Sequence, residues 1–148
     1  MKKSEWYNVT IRKVNDLNIK LDKRKVRRFR VSLLIKMISR IEEFSLQSCD
    51  QCENYKQNIE QMISMLEQDS SANIKEFRSI FNEILKHLKK DHGLVEEGTY
   101  MPQWLSLGLI FGVAFMFTYT YSISIGMLLG IVIGSMLDEN AKKKGKQI

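Results

Sequence analysis

The feature that most constrains this chain is a stretch of forty residues, from 98 to 137, without a single Lys, Arg, Asp, Glu or His. The mean hydropathy of the whole chain, −0.24, is typical of a soluble protein and conceals this stretch. An apolar run of such length predicts insertion into a membrane. The chain therefore divides into a polar part and a membrane part.

We expect the charge-free stretch to form a hairpin of two short helices, at residues 104–118 and 122–137. A single helix over both would be roughly 50 Å long, against a hydrocarbon layer about 30 Å thick, whereas each short helix measures roughly 22 to 24 Å. Lysines precede the first helix and follow the second, so both ends are expected in the cytoplasm. This predicts a two-pass membrane protein with a basic cytoplasmic tail at residues 138–148.

Glycines recur at every fourth position in both predicted membrane helices. Small residues at this spacing let two helix backbones approach closely, and van der Waals contact then holds helices together in lipid. The sequence leaves open whether each glycine face packs against the other arm of the hairpin or against a second copy of the protein. The residues concerned are Gly108 and Gly112 in the first helix, and Gly126, Gly130 and Gly134 in the second.

The last forty-five residues, which include "IGMLLGIVIGSMLDENAKKKGK", resemble a loose class of small bacterial membrane proteins. Members of this class end in a glycine-zipper-like hairpin and a lysine-rich tail. The resemblance implies a location in the bacterial cytoplasmic (inner) membrane. It implies no activity, because such hairpins occur in anchors, in oligomeric pores and in uncharacterised proteins.

Residues 1–95 show the spacing of amphipathic helices and predict a small all-α cytoplasmic domain. Its predicted helices are a basic helix at about 26–44 and an antiparallel hairpin at about 49–68 and 74–91. For residues 1–25 the pattern does not decide between a short strand and a helix. Residues 96–103 are expected to be a linker. No apolar segment follows the charged start, so a secretory signal is not expected.

The chain has two cysteines and two histidines, and the predicted hairpin gathers all four at its open end. Cys49 and Cys52 follow Ser48, a predicted helix N-cap, whereas His87 and His92 lie at the end of the second helix. Two thiolates and two imidazoles suit tetrahedral zinc, and four protein ligands leave no position for a reactive water. We therefore predict a structural zinc site. Incidental placement in the helix core and a redox CxxC motif stay open as alternatives.

The segment "KLDKRKVRRFR" carries seven Lys and Arg among eleven residues. The cytoplasmic face of a membrane is anionic, and each nearby cation contributes about 1 kcal/mol of attraction. Anionic lipid headgroups are the favoured partner, with nucleic acid, an acidic protein or a simple solvated face as alternatives. The residues predicted to bind this surface are Lys20, Lys23, Arg24, Lys25, Arg27, Arg28 and Arg30.

The sequence contains no phosphate-binding loop, nucleophile elbow or HExxH motif, so a non-enzymatic function is expected. The favoured function is a membrane-anchored adaptor or regulator whose zinc-stapled cytoplasmic domain binds a partner protein. The alternative is an oligomeric, pore-forming toxin or defence effector that acts through the glycine-rich hairpin. No ionisable residue marks an ion pathway in the hairpin, which favours the adaptor.

Overall fold

The computed structural model describes residues 4–68, 74–115 and 121–148 of the chain. Throughout these ranges the regular secondary structure is helical, which confirms the predicted all-α class. The chain forms two compact units, Met1–His92 and Gly93–Ile148. The helices of the first are α1 Glu5–Lys20, α2 Lys23–Arg28, α3 Val31–Ser45, α4 Asp50–Glu67 and α5 Ile74–Lys90; those of the second are α6 Tyr100–Ala114 and α7 Ser122–Lys143.

Helices α1, α3, α4 and α5 of the first unit pack around an apolar core. Each helix contributes a stripe of apolar side chains at three- and four-residue spacing. Burial of one such side chain contributes about 1.5–3 kcal/mol, so these stripes are what hold the helices together. Side chains that are fully buried include Val14, Leu34, Met37, Ile38, Ile41, Ile59, Met62, Phe77, Ile84 and Leu88.

Helix α1 occupies the region that the sequence left open between strand and helix. Its N-cap is Ser4, whose Oγ accepts a hydrogen bond from the amide of Tyr7 at 3.2 Å. Tyr7, Thr10 and Val14 lie on its buried face, at helical spacing. This helix is the member of the bundle that the sequence did not predict.

The single basic helix predicted at 26–44 is wrong, because the chain forms two helices there, α2 and α3. The break lies at Arg30, whose φ of 50° falls in the left-handed region, a conformation that costs an L-residue about 1–2 kcal/mol. Aromatic packing offsets this cost. The rings of Phe29 and Phe77 pack edge to face with their centroids 5.0 Å apart. The Arg30 guanidinium lies 5.5 Å from the ring centroid of Phe81.

A Schellman motif ends α3 and sets the start of α4. The amide of Cys49 donates to the carbonyl of Phe44 at 3.1 Å. The amide of Ser48 donates to the carbonyl of Ser45 at 3.2 Å. Ser48 adopts the left-handed conformation of this motif, with φ 70°. The predicted N-cap at Ser48 is therefore wrong: Ser48 terminates α3, and Cys49 is the N-cap of α4.

Helices α4 and α5 run antiparallel. Gln61 donates to Glu76 at 2.9 Å, and further along the pair the hydroxyl of Tyr55 donates to Glu83 at 3.3 Å. The start of α4 therefore lies beside the end of α5. The residues that join the two helices, 69–73, are outside the described ranges.

Helices α6 and α7 of the second unit also run antiparallel, and their bounds differ from the expected ones: α6 begins earlier and ends earlier, and α7 ends later. Helix α6 begins at Tyr100, inside the expected linker 96–103, because Pro102 is tolerated in a first turn, where no intrahelical donor is needed. Helix α7 continues to Lys143, through part of the expected tail 138–148. The last residues pair with the segment before α6, through an isolated parallel bridge between Val95 and Gln147.

Asp138 of α7 caps the first turn of α6. Its two carboxylate oxygens accept hydrogen bonds from the amides of Tyr100, at 3.2 Å, and Met101, at 3.0 Å. These amides have no partner within their own helix, and a carboxylate also interacts favourably with the positive end of the helix dipole. The cap is thus supplied by the neighbouring helix, α7.

Helix α7, Ser122–Lys143, is long and apolar enough to cross a membrane by length and composition. Among the described residues it is the one helix that meets these criteria, since α6 has 15 residues. Residues 116–120 lie outside the described ranges, and with them most of the turn predicted between residues 118 and 122. The two-pass arrangement stays a prediction.

Candidate functional sites

The four predicted metal ligands come together at the open end of the α4–α5 hairpin. Cys49 is the N-cap of α4, Cys52 lies in its first turn, His87 lies in the last turn of α5, and His92 follows that helix. One ligand atom from each residue lies within 4.8 Å of all the others. Cysteines and histidines that lie 35 to 40 residues apart in the chain thus contact one another in one cluster.

Distances between the ligand atoms match those of a tetrahedral zinc site. Bonds of about 2.3 Å to sulfur and about 2.0 Å to nitrogen place S and N donors roughly 3.5 Å apart, and two nitrogens roughly 3.3 Å apart. The Nε2 atom of His87 lies 3.5 Å from the Sγ of Cys49 and 3.4 Å from that of Cys52. His92 Nε2 lies 3.3 Å from Cys52 Sγ and 3.1 Å from His87 Nε2. These four separations are compatible with tetrahedral zinc, and the other pairs of ligand atoms lie within 4.8 Å.

Asp91 orients His87. The Oδ2 atom of Asp91 lies 2.7 Å from the Nδ1 atom of His87, so Nδ1 donates to the carboxylate and Nε2 is left to bind a metal. The His87 ring is 7% exposed, which keeps its orientation fixed. Sequence reasoning missed this residue, although its position four residues after His87 on the last helical turn is the available signal.

Phe44 supports His92. The two rings stack at 3.8 Å between centroids with 11° between their planes. His92 lies beyond α5, and Gly93 then takes the left-handed conformation, with φ 63°, so the chain turns away from the helix axis at this point. Phe44 also belongs to the Schellman motif that holds Cys49. Sequence reasoning missed this contact as well, since nothing in the local sequence shows that α3 reaches the site.

Burial favours the metal-binding form of one residue of the cluster, His92, and disfavours that of another, Cys52. Burial raises the pKa of the Cys52 thiol far above its ordinary value, and the adjacent Cys49 and the Asp91 carboxylate raise it further. Burial also lowers the pKa of His92, as does the positive charge of a protonated His87. The imidazole of His92 therefore stays neutral, the form that binds metals, and the Cys52 thiolate requires a cation beside it.

The predicted glycines lie where α6 and α7 approach most closely. A Cβ atom added to Gly108 would collide with the carbonyl oxygen of Gly126, and one added to Gly126 would collide with that of Gly108. A Cβ on Gly130 would collide with the carbonyl oxygen of Trp104. A Cβ atom added to Gly112 would likewise collide with the backbone of Ile123, and one added to Gly134 would collide with the backbone of Met101.

The predicted basic residues lie at the end of α1, in α2 and at the break before α3. Those that are exposed are Lys20, Lys23, Arg24, Arg27, Arg28 and Arg30. Lys25 is half-buried, and Arg30 packs over the ring of Phe81. Four cations of α2 are therefore exposed, whereas Lys25 is half-buried and Arg30 takes part in packing.

Comparisons of the chain with protein-family models, with curated proteins and with solved structures found no match. A function must therefore follow from the chemistry of the sites themselves.

Proposed function

We propose that this protein is a membrane-anchored, non-enzymatic adaptor or regulator whose cytoplasmic helical domain is held closed by a structural zinc ion and binds a partner protein. The observation that carries the proposal is the Cys49–Cys52–His87–His92 cluster, with its donor atoms within 4.8 Å of one another. In such a site the metal contributes folding energy rather than chemistry.

A structural role is supported by the shape of the site. Four protein ligands complete the tetrahedron, so no position is left for a water or a substrate. The bond from Asp91 to His87 supplies the outer contact that zinc-binding histidines commonly have. The ligands connect the start of α4 to the end of α5, and the stack of Phe44 on His92 adds α3. A metal there would tie three helices of a small core.

Membrane anchoring is supported by α7 and by the outer surface of the α6–α7 pair. Apolar side chains are exposed on both helices, among them Ile110 at 65% and Leu128 at 63%. Large contiguous apolar surfaces on a folded unit are costly in water and favourable in lipid. A hairpin whose two ends both lie in the cytoplasm, as the flanking lysines suggest, leaves the first unit on the cytoplasmic side.

Partner binding is supported by a groove between α1 and α4 with a volume of about 490 Å³. Trp6 and the half-exposed Val9 line it. Its charged lining residues are three carboxylates and one lysine: Glu5, Glu60, Glu67 and Lys13. Tryptophan is enriched among residues that dominate binding energy at interfaces. A partner segment with apolar and basic side chains would complement this groove.

The alternative, a pore that assembles through the glycine faces, competes with the packing within one chain. Gly108, Gly126 and Gly130 already face the backbone of the opposite arm. Assembly through the same faces would require the arms to separate first. This supports an anchor over a pore.

The decisive experiment is metal analysis of the full chain purified in detergent. We expect one zinc per chain, and none in Cys49→Ser. A chelator should lower the thermal unfolding temperature of the parent protein but leave that of Cys49→Ser unchanged, which separates loss of metal from loss of cysteine packing. A metal-free parent protein whose stability does not respond to zinc or to chelator would contradict the proposal.

A further inference from the structure

We infer that α2, together with Ile19 at the end of α1, is a docking element for an anionic lipid surface. The inference rests on the membrane anchoring proposed above, which keeps the first unit within reach of a bilayer. It goes further by defining which side chains make the contact, and by separating them from the cations that serve packing.

The exposed cations of α2 share one face. At 100° per residue, Lys23, Arg27, Arg24 and Arg28 lie within an arc of roughly 140°, and all four are exposed. The half-buried Lys25 and Val26 lie on the remaining side. Four cations on one side of a short helix form a flat positive surface, the complement of a plane of headgroups rather than of a single compact anion.

One carboxylate, that of the exposed Asp22, lies at the start of α2 as its N-cap, and residues 23–30, "KRKVRRFR", contain no further Asp or Glu. The left-handed break at Arg30 separates the segment from α3, and α2 has no buried residue of its own. The helix is therefore not needed to fill the core. Its exposed face can therefore serve another function, and its positive charge suits binding to an anionic surface.

Ile19 supplies the apolar component. Its side chain is 82% exposed, the largest fraction among the exposed large hydrophobic residues of the described ranges. It lies four residues before Lys23 and next to Lys20. Elements that lie on a membrane surface combine insertion of apolar side chains with attraction of cations to anionic lipid. Nucleic acid would use the cations but gives no role to an exposed isoleucine, and for this reason we favour lipid.

Hydrogen exchange of the full chain in lipid nanodiscs tests the inference. Amides of residues 19–28 should exchange about tenfold more slowly, or slower still, in discs that contain phosphatidylglycerol than in phosphatidylcholine discs, and 0.5 M salt should remove the difference, because exposed charges are then screened. Equal exchange in the two kinds of disc would overturn the inference. Slow exchange of α6 and α7 in both kinds of disc reports separately on the membrane anchor. Failure of the anchor can therefore be distinguished from failure of α2 to bind anionic lipid.

Two variants and a matched control complete the experiment. Neutralising the face, with Lys23→Gln, Arg24→Gln, Arg27→Gln and Arg28→Gln, should abolish the difference between the discs. The control removes four exposed cations elsewhere in the first unit and should retain it: Arg12→Gln, Lys75→Gln, Arg78→Gln and Lys86→Gln. Ile19→Ser should reduce the slowing severalfold but keep its salt sensitivity. If an oligonucleotide slows the same amides in phosphatidylcholine discs more than anionic lipid does, the lipid assignment is wrong.

Discussion

The Nδ1 atom of His87 lies 2.7 Å from the Oδ2 atom of Asp91, and this bond turns the opposite ring nitrogen, Nε2, towards both cysteines. One carboxylate thus selects the tautomer of a ligand and its direction. Because the bond joins residues four apart on one helical turn, its geometry depends on α5 alone and not on a bound metal.

Asp91→Ala should weaken zinc binding by about 10- to 100-fold, the usual effect of losing such a carboxylate. Competition with a chromophoric chelator measures the affinity. Asp16→Ala, which removes an exposed carboxylate from α1, is the control and should leave the affinity unchanged. An unaltered affinity in Asp91→Ala would show that His87 is oriented by its packing alone.

Glu42 predicts a specific dependence of stability on pH. Burial by itself would raise the pKa of the carboxyl. The hydrogen bonds from the Ser4 hydroxyl and from the Ser4 amide, the latter at 2.8 Å, and the charge of Lys56, at 3.4 Å, outweigh burial and lower the pKa. A lowered pKa means that Glu42 stabilises the fold above its ordinary pKa and that this contribution disappears as the pH falls through the lowered one.

Glu42→Gln should therefore lower the free energy of unfolding by about 1.5–3 kcal/mol at pH 7. The difference from the parent protein should shrink as the pH falls below about 4.5. Chemical denaturation of both proteins at several pH values measures this difference, in which any effect of acid on the zinc site cancels. A difference that stays constant down to pH 3 would contradict the assignment, and a double-mutant cycle with Lys56→Met isolates the ion pair.

Gly130→Leu should force α6 and α7 apart, because no side chain fits between Gly130 and the backbone of Trp104. In a Trp6→Phe background, Trp104 is the single tryptophan, so its emission reports on this contact. We expect a shifted emission maximum and earlier thermal loss of the signal. Ser135→Leu adds a similar side chain to an exposed position of the same helix and should change neither property.

Overexpression in bacteria separates the anchor from the pore. An anchor should leave growth and membrane potential unchanged in the parent protein and in Gly130→Leu alike. A voltage-sensitive dye measures the potential. Depolarisation by the parent protein that disappears in Gly130→Leu would favour the pore instead.

The sequence predicted the metal cluster because its geometry depends on two simple facts, helical periodicity and antiparallel return of the chain. Cys52 and His87 could be placed together from these alone. The supports could not, since Phe44 reaches His92 only through the packing of α3, a tertiary contact that leaves no local signal. Asp91 was readable in principle, at helical spacing from His87.

The errors at helix ends have a common physical cause. Ser48 and Arg30 are ordinary residues for a helix or its N-cap, yet both adopt the left-handed conformation. Propensity disfavours this conformation, and contacts elsewhere stabilise it: the Schellman bonds at Ser48, and the Phe29–Phe77 and Arg30–Phe81 contacts at the break. Such compensation becomes visible only when the neighbouring helices are in place.

The cluster of Cys49, Cys52, His87 and His92 resembles a disulfide in what it joins, but it needs no oxidising compartment. A cross-link made by a bound ion follows mass action: the folded population rises with the free concentration of that ion relative to its dissociation constant. If zinc binds the cluster and the chain is anchored in a membrane, as we propose, the number of folded copies would change with the zinc supply of the cell, without any change in synthesis.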